Sequence, residues 1–485
     1  MSALPARVLL VNPNRLKPAI APIALDYIAS ALRKHHYTVD LLDLCFEEDW
    51  EGAVDEYFDK DGTGDPLAVG VTLRNTDDAH YAGRQFFLPW YRGVVQRLQS
   101  WTPAPIVLGG AGFSVMPEAI MKYCGVQFGV WGEGEETVPM LLDCLRDGKK
   151  PSGVPGLVYR SGGGYRRNPP RYFALGEADA PERTSIDNGR YFQEGGQAGV
   201  ETKRGCPMGC SYCADPLGKG DRSRCRSPRS VADEVEQLIG LGIDHIHFCD
   251  SEFNLPSWHA IDVCEEFIRR GLGTKIHWYA YCAPSPFNRE MANLFARSGC
   301  AGINFGADSG SDAMLKNLGR NHKVHHIDQT IDECKREGLP CMIDLLLGGP
   351  GETRETLRQS IEVMKAFDPD RVGASLGVRV YPGTALARFV RTQGPLMSNP
   401  NLKGGPVVDG EFFEPVYYVS AEMGEDPVGY LDQLIGNDER FFRGSKEVAG
   451  VSYNYADNRL LVEAIGRGYK GAYWDILRRL SQPPG

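Results

Sequence analysis

The residues most able to do chemistry are three cysteines in Cys206-Pro-Met-Gly-Cys210-Ser-Tyr-Cys213, a CxxxCxxC spacing. A chain with 13 cysteines in 485 residues reaches this spacing by chance about once in a hundred. Three thiolates hold three irons of a [4Fe–4S] cluster and leave the fourth iron open to a substrate. A zinc site would need a fourth ligand, for which Cys225 is available. His245 and His247 alternate along one apolar run, so they share a face. If that face lines an interior they meet substrate; otherwise they are satisfied core histidines. No Ser/His/Asp, HExxH or Walker pattern stands out.

The elements that must position these residues follow from the rest of the chain. At 485 residues the length suits roughly three domains. With 42% hydrophobic and 24% charged residues, a sizeable core is available and wholesale disorder is excluded. The net charge of −10 disfavours nucleic acid as the main ligand. No apolar run is long enough to span a bilayer, and Val8 to Val11 is too short for a signal-peptide core. A cytoplasmic, reducing location is expected, where cysteines serve ligation, catalysis or burial.

Residues 1–150 alternate strand and helix signals. Strands are expected at Arg7 to Val11, Thr38 to Leu44, Leu67 to Leu73, Ile106 to Leu108 and Phe128 to Trp131, with a helical pattern from Pro22 to His36. This cadence predicts a parallel, doubly wound sheet with ligands beyond its carboxyl ends. Residues 151–197 read as a linker containing at most a hairpin. A second series follows, with strands expected at Ile243 to Cys249, Lys275 to Ala280, Gly302 to Gly306, Met342 to Leu347 and Val372 to Arg379. That is the rhythm of a partial (β/α)6 barrel over residues 198–388, active at its carboxyl end. Residues 389–485, rich in aromatics, form a small C-terminal domain expected to cap the substrate.

The cysteine spacing, with Tyr212 before the third cysteine, resembles the radical SAM superfamily signature. Phe248-Cys-Asp250-Ser-Glu252-Phe253 is similar to that family's second-strand motif. Gly306-Ala-Asp308-Ser309-Gly-Ser-Asp312 resembles its ribose-side stretch, with Asp where relatives carry Glu. Gly348-Gly-Pro-Gly-Glu-Thr353 and Tyr381-Pro-Gly-Thr384 resemble later turns. Tyr279-Ala-Tyr281-Cys282 departs from relatives that carry an arginine there. The resemblance implies cluster ligation by Cys206, Cys210 and Cys213. It also implies S-adenosylmethionine contacts from Tyr212, Asp250, Glu252, Asp308, Ser309 and Gly348.

The first 150 residues resemble the B12-binding domain that precedes the barrel in many radical SAM proteins. Ile106-Val-Leu-Gly109-Gly110 and Gly132-Glu133-Gly134-Glu135 carry the likeness. It implies cobalamin contacts from Asn12, Pro13, Arg74, Asn75, Gly109, Gly110, Ser114 and residues 132–135. Asp78-Ala-His80-Tyr-Ala-Gly83 satisfies DxHxxG, the pattern that supplies a cobalt-ligating histidine in other B12 proteins. Here it follows the third strand instead of the first, so His80 is read as coincidental. Arg74 and Asn75 are then placed to face the lower side of the cobalt.

Together these resemblances imply a cobalamin-dependent radical SAM methyltransferase acting on an unactivated carbon of a small molecule or peptide. One S-adenosylmethionine would methylate the cobalt, and a second, cleaved at the cluster, would make a substrate radical. An electron donor of flavodoxin or ferredoxin type is implied; nucleic acid and membrane partners are not. Two other readings are an oxidative cyclase or rearranging enzyme with the same cofactors, and a B12 or iron–sulfur sensor.

Overall fold

The computed structural model describes residues 5–60, 64–176, 179–405, 412–443 and 458–481. Strands β1 (Arg7–Asn12), β2 (Thr38–Asp43), β3 (Ala68–Thr72), β4 (Ile106–Gly109) and β5 (Phe128–Val130) pair in the parallel order β2-β1-β3-β4-β5. Each alternating run found in the sequence is one of these strands. The order reverses between β1 and β3, which opens a crevice at the carboxyl ends. Strands β6 (Leu157–Ser161) and β7 (Gly164–Arg167) then extend the same sheet antiparallel. The segment expected to be a linker therefore contributes its hairpin to the first domain. Polar alternation and three consecutive glycines in that hairpin hid its apolar side, where Leu157 and Val158 are fully buried in the cores of the first domain.

The barrel is a second seven-stranded sheet, all parallel. Its order runs β8 (Ala198–Val200), β11 (His245–Phe248), β12 (His277–Cys282), β13 (Cys300–Asp308), β14 (Cys341–Leu347), β15 (Arg371–Leu376) and β19 (Phe441–Arg443). Between β8 and β11 lies a short hairpin of β9 (Lys203–Arg204) and β10 (Arg224–Cys225). Strands β16 (Val378–Arg379), β17 (Leu402–Gly404) and β18 (Val416–Tyr418) form a small antiparallel sheet beside the carboxyl end.

The C-terminal residues divide between the two ends of the barrel. Near the carboxyl end, Ser420 N–H donates to Gly348 O at 2.9 Å, and Val419 and Met423 join the barrel core. At the amino end, helix Tyr473–Leu480 packs Trp474 against Gly302, where a Cβ would lie 2.9 Å from the indole. Tyr279 donates to Asp475 at 3.0 Å, and Tyr279, Met342 and Phe442 share a cluster with Tyr473 and Trp474. This helix seals the end opposite the cysteine loop, so it does not cap the carboxyl mouth. Its aromatics build core, a use that composition cannot tell from substrate contact.

Buried charges fix one domain on the other. Asp26 and Tyr27 lie on helix Ile23–Lys34 of the first domain, and Glu234 on helix Pro228–Gly240 of the barrel. Arg183, between the domains and 2% exposed, reaches Asp26 at 3.2 Å and Glu234 at 2.7 Å. Arg226 closes on Glu234 at 2.5 Å, and the Tyr27 hydroxyl donates to it at 3.0 Å. Removing one partner of such a buried set leaves a charge uncompensated, at a cost of about 3–5 kcal/mol. Arg183→Ala is therefore expected to lose that much stability in urea unfolding. A loss under about 1 kcal/mol would show that the network contributes nothing to holding the domains.

Candidate active site

The cysteine loop leaves β9 and is held from two sides. Ser211 N–H donates to Leu318 O at 2.9 Å, and Leu386 N–H to Ser211 O at 2.7 Å. Gly319 lies so close that a Cβ there would meet Gly209 O at 2.5 Å, and its φ is +74°. All three thiols are free. Burial raises all three, Cys213 to about 12. Among the described residues no three His, Cys, Asp or Glu side chains converge on one metal ion. A zinc site requires that convergence, whereas in a cubane each thiolate reaches a different iron. Cys225 lies on β10 opposite Lys203.

Arg320 is the organising cation here, and nothing in the sequence singled it out. Its Nη1 is 3.0 Å from Cys210 Sγ, Nη2 is 3.4 Å from Glu252 Oε1, and Nε is 3.2 Å from Asp308 Oδ2. The Tyr212 hydroxyl donates to the same Asp308 oxygen at 2.6 Å. Asp308 holds φ +69° where the β13–β14 register shifts, a bulge that re-aims its carboxylate. Burial lifts Glu252 to about 7, opposed by Arg320. Tyr212, Glu252 and Asp308 thus gather beside the cysteine loop as expected for a cofactor's polar end.

The other residues expected at S-adenosylmethionine also have structural work. Both Asp250 oxygens are used by Thr202 and Lys203: Thr202 N–H at 2.9 Å, Lys203 N–H at 3.2 Å and the Thr202 hydroxyl. Asp250 thereby ties the end of β11 to the start of the cysteine loop. Ser309 is fully buried, and its hydroxyl pairs with Ser360 and accepts from Ser311 N–H. Gly348 turns the chain at φ +90° against Met423 and Gly377. Short polar residues after strands favour such turns and caps whether or not a ligand also meets them.

One cavity of about 590 Å³ joins the two domains. It begins between Val8, Leu10, Gly70 and Val107 of the first sheet and Leu25, Ile28 and Leu142 of its helices. It crosses the carboxyl ends at Arg74, Asn75, Gly109, Gly110, Ser114 and residues 132–135, and ends at Tyr212 and Cys213. Close backbone approach shapes its floor. A Cβ on Gly110 (φ +102°) would lie 2.5 Å from Leu73 O, and one on Gly112 2.8 Å from Asn75. Ser114 Oγ donates to Gly110 O and accepts Gly132 N–H. A flat macrocycle can lie on such a floor, and the slot behind it can take an apolar ring, so the residues fit cobalamin.

Two expected contacts lie elsewhere. Asn12 is buried and its amide donates to Asp43 and Tyr191, both at 2.8 Å. Pro13 lines a separate cavity with Phe46 and Trp90. Glu133 and Glu135 line the main cavity yet also bind Arg204, at 3.7 and 2.5 Å, with Glu201 at 2.7 Å on the same guanidinium. Burial opposes the charge on Glu135, but Arg204 more than offsets it and lowers its pKa. Among the described residues no histidine lines the cavity; His80 Nδ1 accepts Gly83 N–H at 3.2 Å in its own loop. Arg74 has no carboxylate within ion-pair distance among the described residues, and its charge is felt by Tyr281, Tyr473 and Cys249.

Below the cavity the barrel interior is polar. Ile246 and Phe248 enter the core, so His245 and His247 face inward. His245 meets Asp244 at 2.7 Å and His277 at 4.8 Å between rings; the His247 ring is 5.2 Å from Tyr281. Asn304 donates to Asp344 at 2.8 Å. Cys282, by contrast, is buried in the core on the other face of β12.

A B12-type crevice opening onto a barrel with a three-cysteine loop defines a cobalamin-dependent radical SAM protein. The family profiles agree: the radical SAM superfamily matches residues 200–364 and the B12 binding domain residues 14–142. The tryptophan 2-C-methyltransferase of Streptomyces laurentii is 32% identical, over 96% of this chain and 95% of that protein. The structure of the radical S-adenosylmethionine methyltransferase TsrM from Kitasatospora setae, with tryptophan substrate and a SAM analog bound, superposes with a TM-score of 0.90. It is 32% identical and covers 98% of this chain and 97% of that one. A second TsrM structure carries cobalamin and a [4Fe-4S] cluster. The cobalamin-dependent radical enzyme OxsB, 18% identical with a TM-score of 0.70, shares the fold. The chain belongs to the cobalamin-dependent radical SAM methyltransferases, whose cofactors are the [4Fe–4S] cluster, S-adenosylmethionine and cobalamin.

Replacing Cys206, Cys210 or Cys213 by Ala is expected to abolish the brown cluster chromophore and bound iron after anaerobic reconstitution. Cys225→Ala should retain both. Loss of the cluster in Cys225→Ala would overturn the ligand assignment.

Proposed function

We propose that this enzyme methylates a ring carbon of tryptophan or of a closely related indole, C2 being the first candidate. The observation that carries the reading is near end-to-end similarity to the tryptophan 2-C-methyltransferase and to TsrM with tryptophan bound. A ring carbon without an acidic hydrogen gives a general base no foothold, which is why such chemistry is left to cofactors.

Bound cobalamin would supply a cobalt that accepts and hands on a methyl group, and the cluster would supply single electrons. The chain's own residues supply position and dryness. Cys206, Cys210 and Cys213 would hold the cluster, with Tyr212, Glu252 and Asp308 at the polar end of S-adenosylmethionine. The glycine floor and Ser114 would seat the corrin, and Arg74 and Asn75 would face its lower side. Arg74 cannot be a donor ligand, having no free lone pair at accessible pH, and would serve there to exclude water. His247, Tyr281, Asn304 and Asp344 line the barrel below, where an amino acid with a polar backbone would sit.

A low-potential carrier of flavodoxin or ferredoxin type would provide the electrons. Thirteen cysteines suit the cytoplasm, where thiols stay reduced. Among the described residues no helix is long and apolar enough to cross a membrane.

Anaerobic incubation of the reconstituted enzyme with tryptophan and methyl-labelled S-adenosylmethionine is expected to give a labelled methyltryptophan. Label in no indole product would reject the substrate assignment. His80→Ala should leave the electron paramagnetic resonance of the bound cobalt unchanged, with no nitrogen splitting from an axial imidazole. Arg74→Ala and Arg74→Lys should retain cluster and cobalamin yet lose at least tenfold in product, because lysine lacks the planar group. Native rates in both would reduce Arg74 to a surface residue.

A further inference from the structure

We propose that the separate cavity lined by Pro13, Phe46 and Trp90 binds a free aromatic α-amino acid, at a site distinct from the barrel interior. The choice of tryptophan as its probe rests on the function proposed above; the class of ligand is read from the cavity's own side chains.

The cavity measures about 650 Å³, within the range of small-molecule sites, so an amino acid with a two-ring side chain enters whole. The loop after β1, the turn after β2 and the start of helix Leu88–Trp101 wall it. It shares no lining residue with the cavity that fits the corrin.

The first observation is an unmade hydrogen bond. Asn14 lines the cavity and is 5% exposed. Its Oδ1 accepts Leu16 N–H at 3.3 Å, which fixes Nδ2 as the other end of the amide. That Nδ2 is buried without a partner. Buried donors are nearly always paired, so an acceptor belongs opposite it. Arg15, the next residue, is exposed and lies 5.5 Å from the Trp90 ring centroid. It forms no ion pair among the described residues. An amide donor beside an unpaired guanidinium is the complement of a carboxylate.

The second observation is the aromatic wall. Trp90 Nε1 donates to Pro13 O at 2.7 Å, and its ring meets Trp50 at 4.9 Å between centroids. Phe46 is flanked by the Arg190 guanidinium at 4.0 Å and the Tyr191 ring at 4.7 Å. Rings fixed in this way offer a planar ligand contact area that needs no further ordering.

Charge then selects among planar ligands. Lys17 and Arg190 are both paired with Glu194, at 3.3 and 3.0 Å. Glu47 and Glu48 line the same cavity, exposed and without ion pairs among the described residues. These two carboxylates repel the phosphates of a nucleotide and attract an ammonium group. A carboxylate at one end, an ammonium at the other and an aromatic ring between the walls make an aromatic amino acid.

The test is equilibrium dialysis of labelled tryptophan against the reconstituted enzyme with cobalamin bound. S-adenosylhomocysteine replaces the methyl donor, so that nothing turns over. Wild type should bind two tryptophans per chain. Arg15→Glu, at an exposed position where folding is not at stake, should bind one, and Asn14→Asp likewise. Tryptamine, which lacks the carboxylate, should compete at least tenfold more weakly than tryptophan for the site that Arg15→Glu removes, and adenosine monophosphate should not compete. Two sites retained in either variant, equal competition by tryptamine, or displacement by adenosine monophosphate would overturn the proposal. A single site that both variants leave intact would overturn it too, as when a corrin side chain fills the cavity, and would leave the substrate assignment standing. A single site that both variants remove would uphold the proposal and reject the substrate assignment alone. No site at all would overturn both.

Discussion

Three arginines hold the two sheets at a fixed separation, and the site exists only because that separation is fixed. Arg183 spans Asp26 and Glu234, Arg204 gathers Glu133, Glu135 and Glu201, and Arg379 takes Asp77 at 3.0 Å. Each links a first-domain acid to the barrel side, and each is largely buried. Burying charge is costly, and an apolar interface of equal area would hold the domains together as well or better. What an apolar interface lacks is direction. A planar guanidinium bonded on several sides admits one orientation, and cofactors that must react across a gap need one orientation.

The cavity shows the same division between grip and aim. Its inner reach is aliphatic, between Val8, Leu10 and Val107 on one side and Leu25 and Ile28 on the other, and it binds by burial. Its outer reach is glycine backbone, where Gly110 and Gly112 admit no side chain. Ionisable groups crowd together around Arg204 at the outer reach and again at the cysteine end. There Arg320 keeps two carboxylates, a phenol and a thiol in one place without leaving any of these charges unopposed. Polar groups in so small a volume must be mutually satisfied, which explains why Asp308 accepts a left-handed backbone.

Strand order, barrel cadence and the cysteine loop were legible in the sequence because each is local. Apolar runs give strands, and thiol spacing survives whatever surrounds it. The strand ends at Arg74-Asn75, Gly109-Gly110 and 132–135 were equally legible as strand ends, and all of them line the cavity. The side-chain partners of Asn12 and Asp250 could not be read, because a polar residue after a strand looks the same whether it meets a ligand or another segment of chain. Tyr191 and Thr202, their actual partners, are 179 and 48 residues away. Arg320 was invisible for the same reason: its partners Cys210 and Glu252 are 110 and 68 residues distant.

The far end of the barrel explains why the C-terminal segment is long and aromatic. A seven-stranded parallel sheet leaves its amino end open unless something fills it, and water entering there would reach Asn304, Asp344 and Tyr281 from below. Helix Tyr473–Leu480 fills it with Trp474 against Gly302 and Asp475 under Tyr279. Gly471 passes so close that a Cβ would lie 2.5 Å from the Tyr279 hydroxyl. The strand β19, drawn from the same segment, covers the free edge of β15. Closing both the floor and the edge leaves the carboxyl mouth as the way in, and that mouth is where the corrin crevice and the cysteine loop meet. Exclusion of water strengthens every electrostatic contact inside such a site. Helix Tyr473–Leu480 therefore serves the chemistry from the side opposite to it.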